Sequence, residues 1–178
     1  MDFSIDVAIT LILFILPAYF ANSTPVIFGG GEPLDFGKKF LDGRRLLGKG
    51  KTIRGFLSGV FAGMLIGVLE ALILPYTPFN FFCNPSNYVV LAFFLSTGTM
   101  AGDSLGSFIK RRLAIPSGSP SLLLDQLAFL AIALFFAYPR ASFLYALESL
   151  LFLFVLTYFL HVAFNVLANK LGLKRVPW

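Results

Sequence analysis

The sequence predicts an all-α polytopic membrane protein with five transmembrane helices, its N-terminus outside the cell and its C-terminus in the cytoplasm. Hydrophobic residues make up 57% of the chain and charged residues only 13%, which is too little polar material to cover a soluble globule of this size. Five apolar stretches are each long enough to cross a hydrocarbon core of about 30 Å. No linker or composition shift divides the chain, so residues 1–178 are predicted to form a single domain.

The five predicted spans follow one another along the chain with short connections. The first lacks a basic leading segment and a small-residue cleavage site, which favours a retained helix over a signal peptide. Between the spans, the predicted cytoplasmic loops occupy about residues 22–54 and 108–121. The spans cover Phe3–Ala21, Gly55–Leu74, Tyr88–Ser107, Leu122–Tyr138 and Phe143–Leu167.

The positions of Lys and Arg test the number of spans, because positive residues collect on one side of a membrane only if the crossings are counted correctly. Seven lie between residues 38 and 54, three at 110–112 and three in the tail from 170 to 175. Five crossings put these thirteen of the fourteen on one side and leave only Arg140 on the other. The positive-inside rule assigns the thirteen to the cytoplasm. Beside apolar spans these cations are expected to meet anionic head groups, and no nucleic-acid partner is predicted.

Glycines recur every four residues on the second and third spans, so each series lines one face of its helix. Such faces let helix backbones approach closely, within one chain or between two copies, and the oligomeric state stays open. The two series are Gly55, Gly59, Gly63 and Gly67, and Gly98, Gly102 and Gly106.

Two acidic residues at the cytoplasmic ends of apolar spans are the strongest candidates for chemistry. Asp103 lies inside the third span, where a carboxylate is costly unless it faces a polar cavity, a metal or a partner. Ser107, Lys110 and Arg111 lie within about 80° of it on a helix. Asp125 begins the fourth span from the opposite direction, at a similar depth. Two carboxylates beneath cations suit a divalent metal that holds phosphates; a structural Asp–Arg pair that fixes helix register is the alternative.

The first cytoplasmic loop resembles a phosphate-binding loop without meeting its full pattern. Gly43 to Lys49 fits G-x-x-x-x-G-K, but Gly50 replaces the required Ser or Thr, and no strand precedes the motif. We therefore reject a Walker A site and expect a flexible cationic loop that wraps a polyphosphate; a basic loop that serves only topology is the alternative. The cations and hydroxyl of this loop are Lys49, Lys51, Thr52 and Arg54.

Polar residues also occur at the ends of the first and last spans. Asn22 and Ser23 precede Pro25 and either read a nucleotide or head group or simply end a helix before proline. His161 and Asn165 are one turn apart on the last span, where hydrogen bonding between helices is the favoured interpretation.

Together these motifs resemble the archaeal CDP-archaeol synthases over essentially the whole chain, a family that looks related to the phosphatidate cytidylyltransferases. The wider group continues with His-Gly-Gly and Asp-Arg, where this chain has Ser117-Gly118-Ser119-Pro120 and Asp125-Gln126. The motifs that carry the resemblance are Asn22-Ser23-Thr24-Pro25, the run from Gly48 to Gly55, Gly102-Asp103-Ser104 with Ser107, Lys110 and Arg111, then Pro116 and Leu124-Asp125-Gln126.

The resemblance implies transfer of CMP from CTP to the phosphate of an unsaturated diether lipid, digeranylgeranylglyceryl phosphate, with Mg²⁺ and release of pyrophosphate. In this hypothesis Asp103 and Asp125 bind Mg²⁺, and Lys110 and Arg111 bind the lipid phosphate or the departing pyrophosphate. The implied nucleotide-binding residues are Asn22, Ser23, Lys49, Lys51, Thr52, Arg54 and Ser107.

Two other functions fit the sequence less well. A CDP-alcohol phosphotransferase needs Asp-Gly-x-x-Ala-Arg and a paired Asp-x-x-x-Asp, whereas Asp42-Gly43 is followed here by Arg-Arg-Leu-Leu. A small cation carrier could use two intramembrane Asp residues. It should also show an internal repeat and polar groups that continue to the outer side, and the sequence shows neither.

Overall fold

The structure, a computed structural model, describes residues 4–116, 119, 121 and 124–173, with the side chain of Gln126 excepted. Several sequence predictions therefore lie outside the described residues. They concern Phe3, Ser117, Gly118, Pro120, Leu122, Lys174 and Arg175, and the side chain of Gln126.

The described chain is helical, and five of its helices are long and apolar enough to cross a membrane. This confirms the predicted all-α polytopic class with five spans, and the orientation of the termini stays a prediction. Among these residues the β pairing consists of two isolated bridges within the first long loop. The helices are α1 (Ile5–Ser23), α2 (Pro25–Phe28), α3 (Ile53–Ile73), α4 (Ser86–Arg112), α5 (Leu124–Ala141) and α6 (Leu147–Lys170).

The observed helix ends differ from the predicted span ends because local hydrogen bonding, as well as hydropathy, decides where a helix stops. The third span extends through Arg112, since basic residues in a last turn interact favourably with the helix dipole. The last span begins four residues later than predicted, because Ser142–Leu144 forms a separate 3₁₀ turn. A second 3₁₀ turn, Leu74–Tyr76, follows α3.

Helix α4 packs against α1, α3 and α5, and the glycine series make these contacts close. A methyl group at Gly59 would come within 2.7 Å of the Ala21 carbonyl oxygen and 2.5 Å of the Met100 sulfur. One at Gly102 would come within 2.7 Å of the Ala128 carbonyl oxygen. The predicted close approach of the second and third spans to their neighbours is confirmed.

The alternating direction of the helices gathers the first long loop and the end of α4 at one end of the bundle, called here the basic end: residues 29–52 and 113–116 with the adjoining helix ends. Eleven of the twelve Lys and Arg residues that the structure describes lie there, and Arg140 lies at the opposite end. In the segment 29–52 the chain folds back on itself through bridges from Pro33 to Thr52 and from Lys39 to Arg45. The expected flexible loop has a defined path.

Candidate active site

Asp103 lies two thirds of the way along α4, on the side from which the first long loop reaches it. The Nζ of Lys51 donates a hydrogen bond of 2.5 Å to Asp103 Oδ2. The side chains of the two residues are 28% and 30% exposed, so the pair borders on open space at the basic end. The structure therefore brings together two of the residues that the sequence singled out, one from the loop and one from the membrane.

Asp125 and Lys110 form a second, tighter pair between α5 and α4. Lys110 Nζ donates to both oxygens of Asp125, at 2.7 and 2.9 Å, and to the carbonyl oxygen of Ser119 at 2.9 Å. The backbone N–H of Ser121 also donates to Asp125 at 2.9 Å. The Lys110 side chain is only 9% exposed, whereas that of Asp125 is 37% exposed. A buried ammonium thus holds a carboxylate that remains accessible.

Contacts between α4 and α5 set the relative depth of the two carboxylates. Gly106 faces Leu124, and Gly102 faces Phe129 one turn further in. Because the helices are antiparallel, this register places Asp103 about 4 Å deeper than Asp125 by helical rise. Lys110, which binds Asp125, lies only about 20° from Asp103 around α4. The two carboxylates therefore lie at nearly the same depth and on the same side of α4, as the sequence predicted.

Beside these pairs, α4 ends in two arginines with different surroundings. Arg111 is buried, and its Nε has no hydrogen-bond partner among the residues that the structure describes. Arg112 lies against the rings of Phe40 and Phe108, at 4.7 and 4.9 Å from their centroids. Its Nη2 donates to the Arg45 carbonyl oxygen at 2.7 Å, and its Nε lies 3.3 Å from Asp42 Oδ2. Arg112 therefore fastens the loop to the helix.

The end of α4 also receives a cation from the loop. Arg44 Nη1 donates to the carbonyl oxygens of Arg112 at 3.0 Å and Arg111 at 3.4 Å. These carbonyls belong to the last turn, where no later helical residue supplies an N–H donor, although that of Arg111 also accepts from the Ala114 N–H at 3.3 Å. The sequence suggested only a topological role for Arg44, but the structure gives it a capping role.

A buried carboxylate that the sequence analysis did not single out organises the loop. Asp35 Oδ1 accepts from Arg45 Nη2 at 2.5 Å and from Gly37 N at 3.0 Å, and Oδ2 accepts from the N–H groups of Leu47 and Gly48 at 3.1 Å each. Burial alone would raise the pKa of Asp35, but the hydrogen bonds from Arg45 and the three N–H groups outweigh it and hold the pKa well below its usual value.

Gly48 explains why the loop turns toward the carboxylates at this point. Its φ is +113°, a conformation that side chains rarely adopt, and its N–H points at Asp35. The turn leaves Lys49 exposed and directs Lys51 to Asp103. Asp35 could have been suspected from the sequence only through its place among the glycines of residues 29–50, since its partners are mostly backbone groups.

Thr52 and Arg54 begin α3 with different exposures. The Thr52 hydroxyl accepts from Gly55 N at 3.1 Å and from Gly30 N at 3.3 Å, and so caps the helix N-terminus. Arg54 is exposed at the second position of the helix. Thr52 is buried in this arrangement, and its role in nucleotide binding stays a prediction.

The remaining predicted nucleotide-binding residues lie at the same end of the bundle. Asn22 and Ser107 are half-buried on α1 and α4. Ser23 is exposed, and its hydroxyl donates to the Phe20 carbonyl oxygen of its own helix at 3.3 Å. The loop following α1 meets the start of α3, since Gly55 faces Pro25 and Gly29. Whether these polar groups contact a nucleotide stays a prediction.

The charged groups at the basic end can hold a phosphate ester together with a divalent cation. Among the described residues there is no cluster of three or more His, Cys, Asp or Glu side chains that could hold a metal alone. Two accessible carboxylates suffice for Mg²⁺, which binds through one or two carboxylates together with substrate phosphates. The donors available for phosphate oxygens are Lys49, Lys51, Arg54, Lys110 and Arg111.

Comparison with known proteins assigns this geometry to a family. A family model described as "CarS-like: CDP-archaeol synthase" matches residues 4–178. The CDP-archaeol synthase of Pyrococcus horikoshii is 50% identical over 165 residues, 93% of this chain and 94% of that protein. That of Methanocaldococcus jannaschii is 47% identical over 168 residues, 93% and 94% of the two chains.

A solved structure extends the likeness to three dimensions. It is described as "Structural insight into an intramembrane enzyme for archaeal membrane lipids biosynthesis", and it covers 87% of this chain and 92% of its own, with a TM-score of 0.75 and 40% identity. Family model, relatives and structure agree over nearly the full length, so the chain belongs to the CDP-archaeol synthase family.

Proposed function

We propose that this enzyme transfers CMP from CTP to the phosphate of an unsaturated diether lipid, digeranylgeranylglyceryl phosphate, and releases pyrophosphate. Membership of the CDP-archaeol synthase family makes it a cytidylyltransferase of membrane lipid biosynthesis. The observation that carries the finer proposal is the pair of accessible carboxylates at matched depth, Asp103 and Asp125, each bound to a lysine beneath the basic end. A soluble nucleotide and a membrane-bound phosphate can both reach that level.

The reaction needs positioning and charge neutralisation more than it needs a base. A phosphate monoester has a second pKa near 6, so at neutral pH most of the lipid phosphate is already the dianion. One of its oxygens attacks the α-phosphorus of CTP, and the bond from that phosphorus to the bridging oxygen breaks. Pyrophosphate leaves with the bonding electrons. The protein must hold the attacking and leaving oxygens in line and neutralise four phosphate groups, the three of CTP and that of the lipid.

We assign Mg²⁺ binding to Asp103 and Asp125. Their exposed oxygens fit a hard cation that takes few protein ligands and completes its shell with phosphates and water. When bound, Mg²⁺ supplies Lewis-acid neutralisation of the phosphate charge. In this structure Lys51 and Lys110 neutralise the two carboxylates. With Asp103 and Asp125 on the metal, the same two ammonium groups become free to donate to phosphate oxygens.

The other cations divide between the two substrates according to their position. Lys49 and Arg54 are exposed at the mouth of the basic end, where CTP arrives from water, and we assign them to its β- and γ-phosphates. Arg111 is buried, and its Nε has no partner among the described residues; we assign it with Lys110 to the lipid phosphate or the departing pyrophosphate. The positive-inside rule supports a cytoplasmic basic end and an N-terminus outside, so that the site faces the CTP pool.

The Asp103→Asn variant tests the assignment. Purified protein is given CTP, Mg²⁺ and the lipid phosphate in mixed micelles, and CMP transfer into lipid is followed over time. The variant should lose more than about 100-fold in kcat, because it loses one anionic ligand and the counter-charge of Lys51. Glu148→Gln is the matched control, since Glu148 is exposed at the other end of the bundle. Near-normal transfer by Asp103→Asn would refute the metal assignment.

A further inference from the structure

Residues 38–46 of the first long loop form a short antiparallel hairpin, called here the loop hairpin, with an apolar tip. Its backbone hydrogen bonds run from the Phe40 N–H to the Arg44 carbonyl oxygen at 2.8 Å and from the Leu46 N–H to the Lys38 carbonyl oxygen at 3.0 Å. At the tip, the Leu41 side chain is 96% exposed. Leu41 therefore adds nothing to the packing of the hairpin itself.

The loop hairpin rests on the face of α4 that is turned away from the active site. The ring of Phe40 packs edge-on against Phe108, with centroids 5.4 Å apart, and Arg112 lies against both rings. On a helix, Phe108 and Arg112 are about 140° and 180° from Asp103. Leu105 is within about 20° of Arg112 and is exposed, so this face looks out of the bundle toward lipid.

Helix register gives the depth of the loop hairpin. The start of α5 faces Gly106 of α4, and from Ser86 to Gly106 the helix α4 rises about 30 Å, the thickness of a hydrocarbon core. Arg112 lies about 9 Å beyond Gly106, and each head-group layer is about 5–8 Å thick. Phe40, which contacts Phe108 and Arg112, is therefore at the level of the head groups.

A second exposed aromatic ring precedes the loop hairpin in a strained turn. Phe36 has a φ of +48° and Gly37 a φ of +75°, and the Lys38 N–H closes the turn on the Asp35 carbonyl oxygen at 2.7 Å. A positive φ is uncommon for a bulky residue, yet the Phe36 ring is largely exposed. Backbone strain of this kind concentrates at functional sites, which indicates that the displayed ring has a use.

Two cations beside these apolar residues are available to a partner. Lys38 and Lys39 are exposed, and neither ammonium group makes a hydrogen bond or an ion pair with another described residue. The acid at the tip, Asp42, is already paired with Arg112. Lysines that flank apolar side chains at head-group level are attracted to anionic lipids.

We propose that the loop hairpin is an interfacial anchor. Leu41 and Phe36 enter the boundary between head groups and acyl chains, and Lys38 and Lys39 bind anionic head groups of the same leaflet. The chain runs from the hairpin directly into the Gly48 turn, so the lipid surface also steadies the loop that reaches the active site. The anchor contacts the outward face of α4, and it is separate from the groups that we assign to the reaction.

Fluorescence quenching in vesicles tests the anchor without any need for turnover. Full-length enzyme with Cys83→Ser, which removes the one cysteine of the sequence, and Leu41→Cys is labelled with the fluorophore NBD. It is reconstituted in phosphatidylcholine vesicles that contain lipids with a nitroxide near the head of the acyl chain. Gly50→Cys, exposed in the same loop, is the water-facing control, and Leu57→Cys, exposed one turn into α3, is the lipid-facing control. Quenching at Leu41 should exceed that at Gly50 at least about threefold and approach that at Leu57.

Anionic lipid and two further variants test the individual side chains. Adding phosphatidylglycerol should raise the quenching at Leu41, and the double variant Lys38→Gln, Lys39→Gln should abolish this increase. Phe36→Asn keeps the turn, because asparagine tolerates a positive φ, and it should lower the quenching at Leu41. Unchanged quenching in Phe36→Asn would remove Phe36 from the anchor.

Three other results would overturn the proposal. Quenching at Leu41 no higher than at Gly50 would place the hairpin tip in water. The same quenching with and without phosphatidylglycerol would exclude binding of anionic head groups. A blue-shifted emission at Leu41 without nitroxide quenching would make the hairpin a contact between two copies of the chain. Failure of the enzyme to transfer CMP would refute the proposed function and leave these measurements unaffected.

Discussion

Replacing Asp35 by Asn tests whether one buried carboxylate holds the loop that presents Lys49 and Lys51. The two Asp35 oxygens accept hydrogen bonds from Arg45, Gly37, Leu47 and Gly48. An asparagine keeps one acceptor oxygen and replaces the other with an NH₂ donor. Whichever way the amide turns, at least two N–H donors lose their partner and face another donor.

The size of the effect follows from the kind of bond that is lost. A hydrogen bond to a charged group contributes about 1.5–3 kcal/mol, so loss of two costs about 3–6 kcal/mol. The cost falls on the loop, because the helices are held by contacts at Gly59 and Gly102 that Asp35 does not touch. The loop opens while the bundle stays folded. Lys49 and Lys51 then lose their fixed positions, and the CTP KM should rise at least tenfold.

Hydrogen exchange and kinetics together measure this opening. In Asp35→Asn the amides of Leu47 and Gly48 should lose their protection, while α4 stays protected. Glu32→Gln is the control, since Glu32 lies exposed in the same loop and takes part, among the described residues, through its backbone carbonyl, which the substitution keeps. If Leu47 and Gly48 kept their protection and the CTP KM stayed at the wild-type value, the loop would not depend on Asp35.

The lowered pKa of Asp35 adds a pH test with a definite sign. A group whose pKa is depressed in the folded protein stabilises it fully above its unfolded pKa, and this contribution falls only as pH drops toward the folded pKa. Protection of Leu47 and Gly48, corrected for intrinsic exchange, should therefore be constant from about pH 7 down to about pH 5. A loss of protection within that interval would show that another titrating group holds the loop.

Three further substitutions test single contacts, each by thermal unfolding in detergent. Thr52→Ala should lower the free energy of unfolding by about 1 kcal/mol through loss of the α3 cap, and Thr52→Ser should keep the wild-type value. Equal unfolding free energies for the two variants would refute the capping role. Gly63→Ala should destabilise by about 1–3 kcal/mol, because its methyl meets Ser96 and the Pro17 carbonyl, whereas Gly50→Ala has free space and should be neutral. Glu70→Leu should stabilise by about 1–3 kcal/mol, since Glu70 is buried and neither of its oxygens has a hydrogen-bond partner among the described residues; a lower unfolding temperature would contradict this.

The fold was predictable because hydropathy and charge act locally along a membrane chain. The lengths of the apolar stretches predicted five membrane crossings, and the concentration of Lys and Arg on one side supported that number. The glycine series also gave the right packing faces, since a four-residue interval on a helix has one geometric meaning. The C-terminal end of α4 and the start of α6 were harder to predict from the sequence, because the Arg44 cap and the Ser142–Leu144 turn depend on tertiary contacts and backbone bonding.

The sequence predicted those site residues whose burial in an apolar span is energetically unfavourable without a partner. A carboxylate inside an apolar span required a partner, and Asp103 and Asp125 both have one. Asp35 was missed because an acid in a polar loop has no such cost, and its importance comes from backbone groups twelve and thirteen residues away. For the same reason the sequence could not distinguish Arg44 and Arg112, which fasten the loop, from Lys51, which reaches the carboxylate.

Transfer of a phosphorus label from CTP tests most directly whether the enzyme transfers CMP to the lipid phosphate. The purified enzyme, in micelles with Mg²⁺ and digeranylgeranylglyceryl phosphate, is given CTP labelled on either the α- or the γ-phosphorus, and lipid and water phases are separated. We predict that the α-label enters the lipid while the γ-label appears in water as pyrophosphate, and that Asp103→Asn abolishes both. Label from the γ-position in the lipid, or no transfer of the α-label, would contradict cytidylyl transfer at this site.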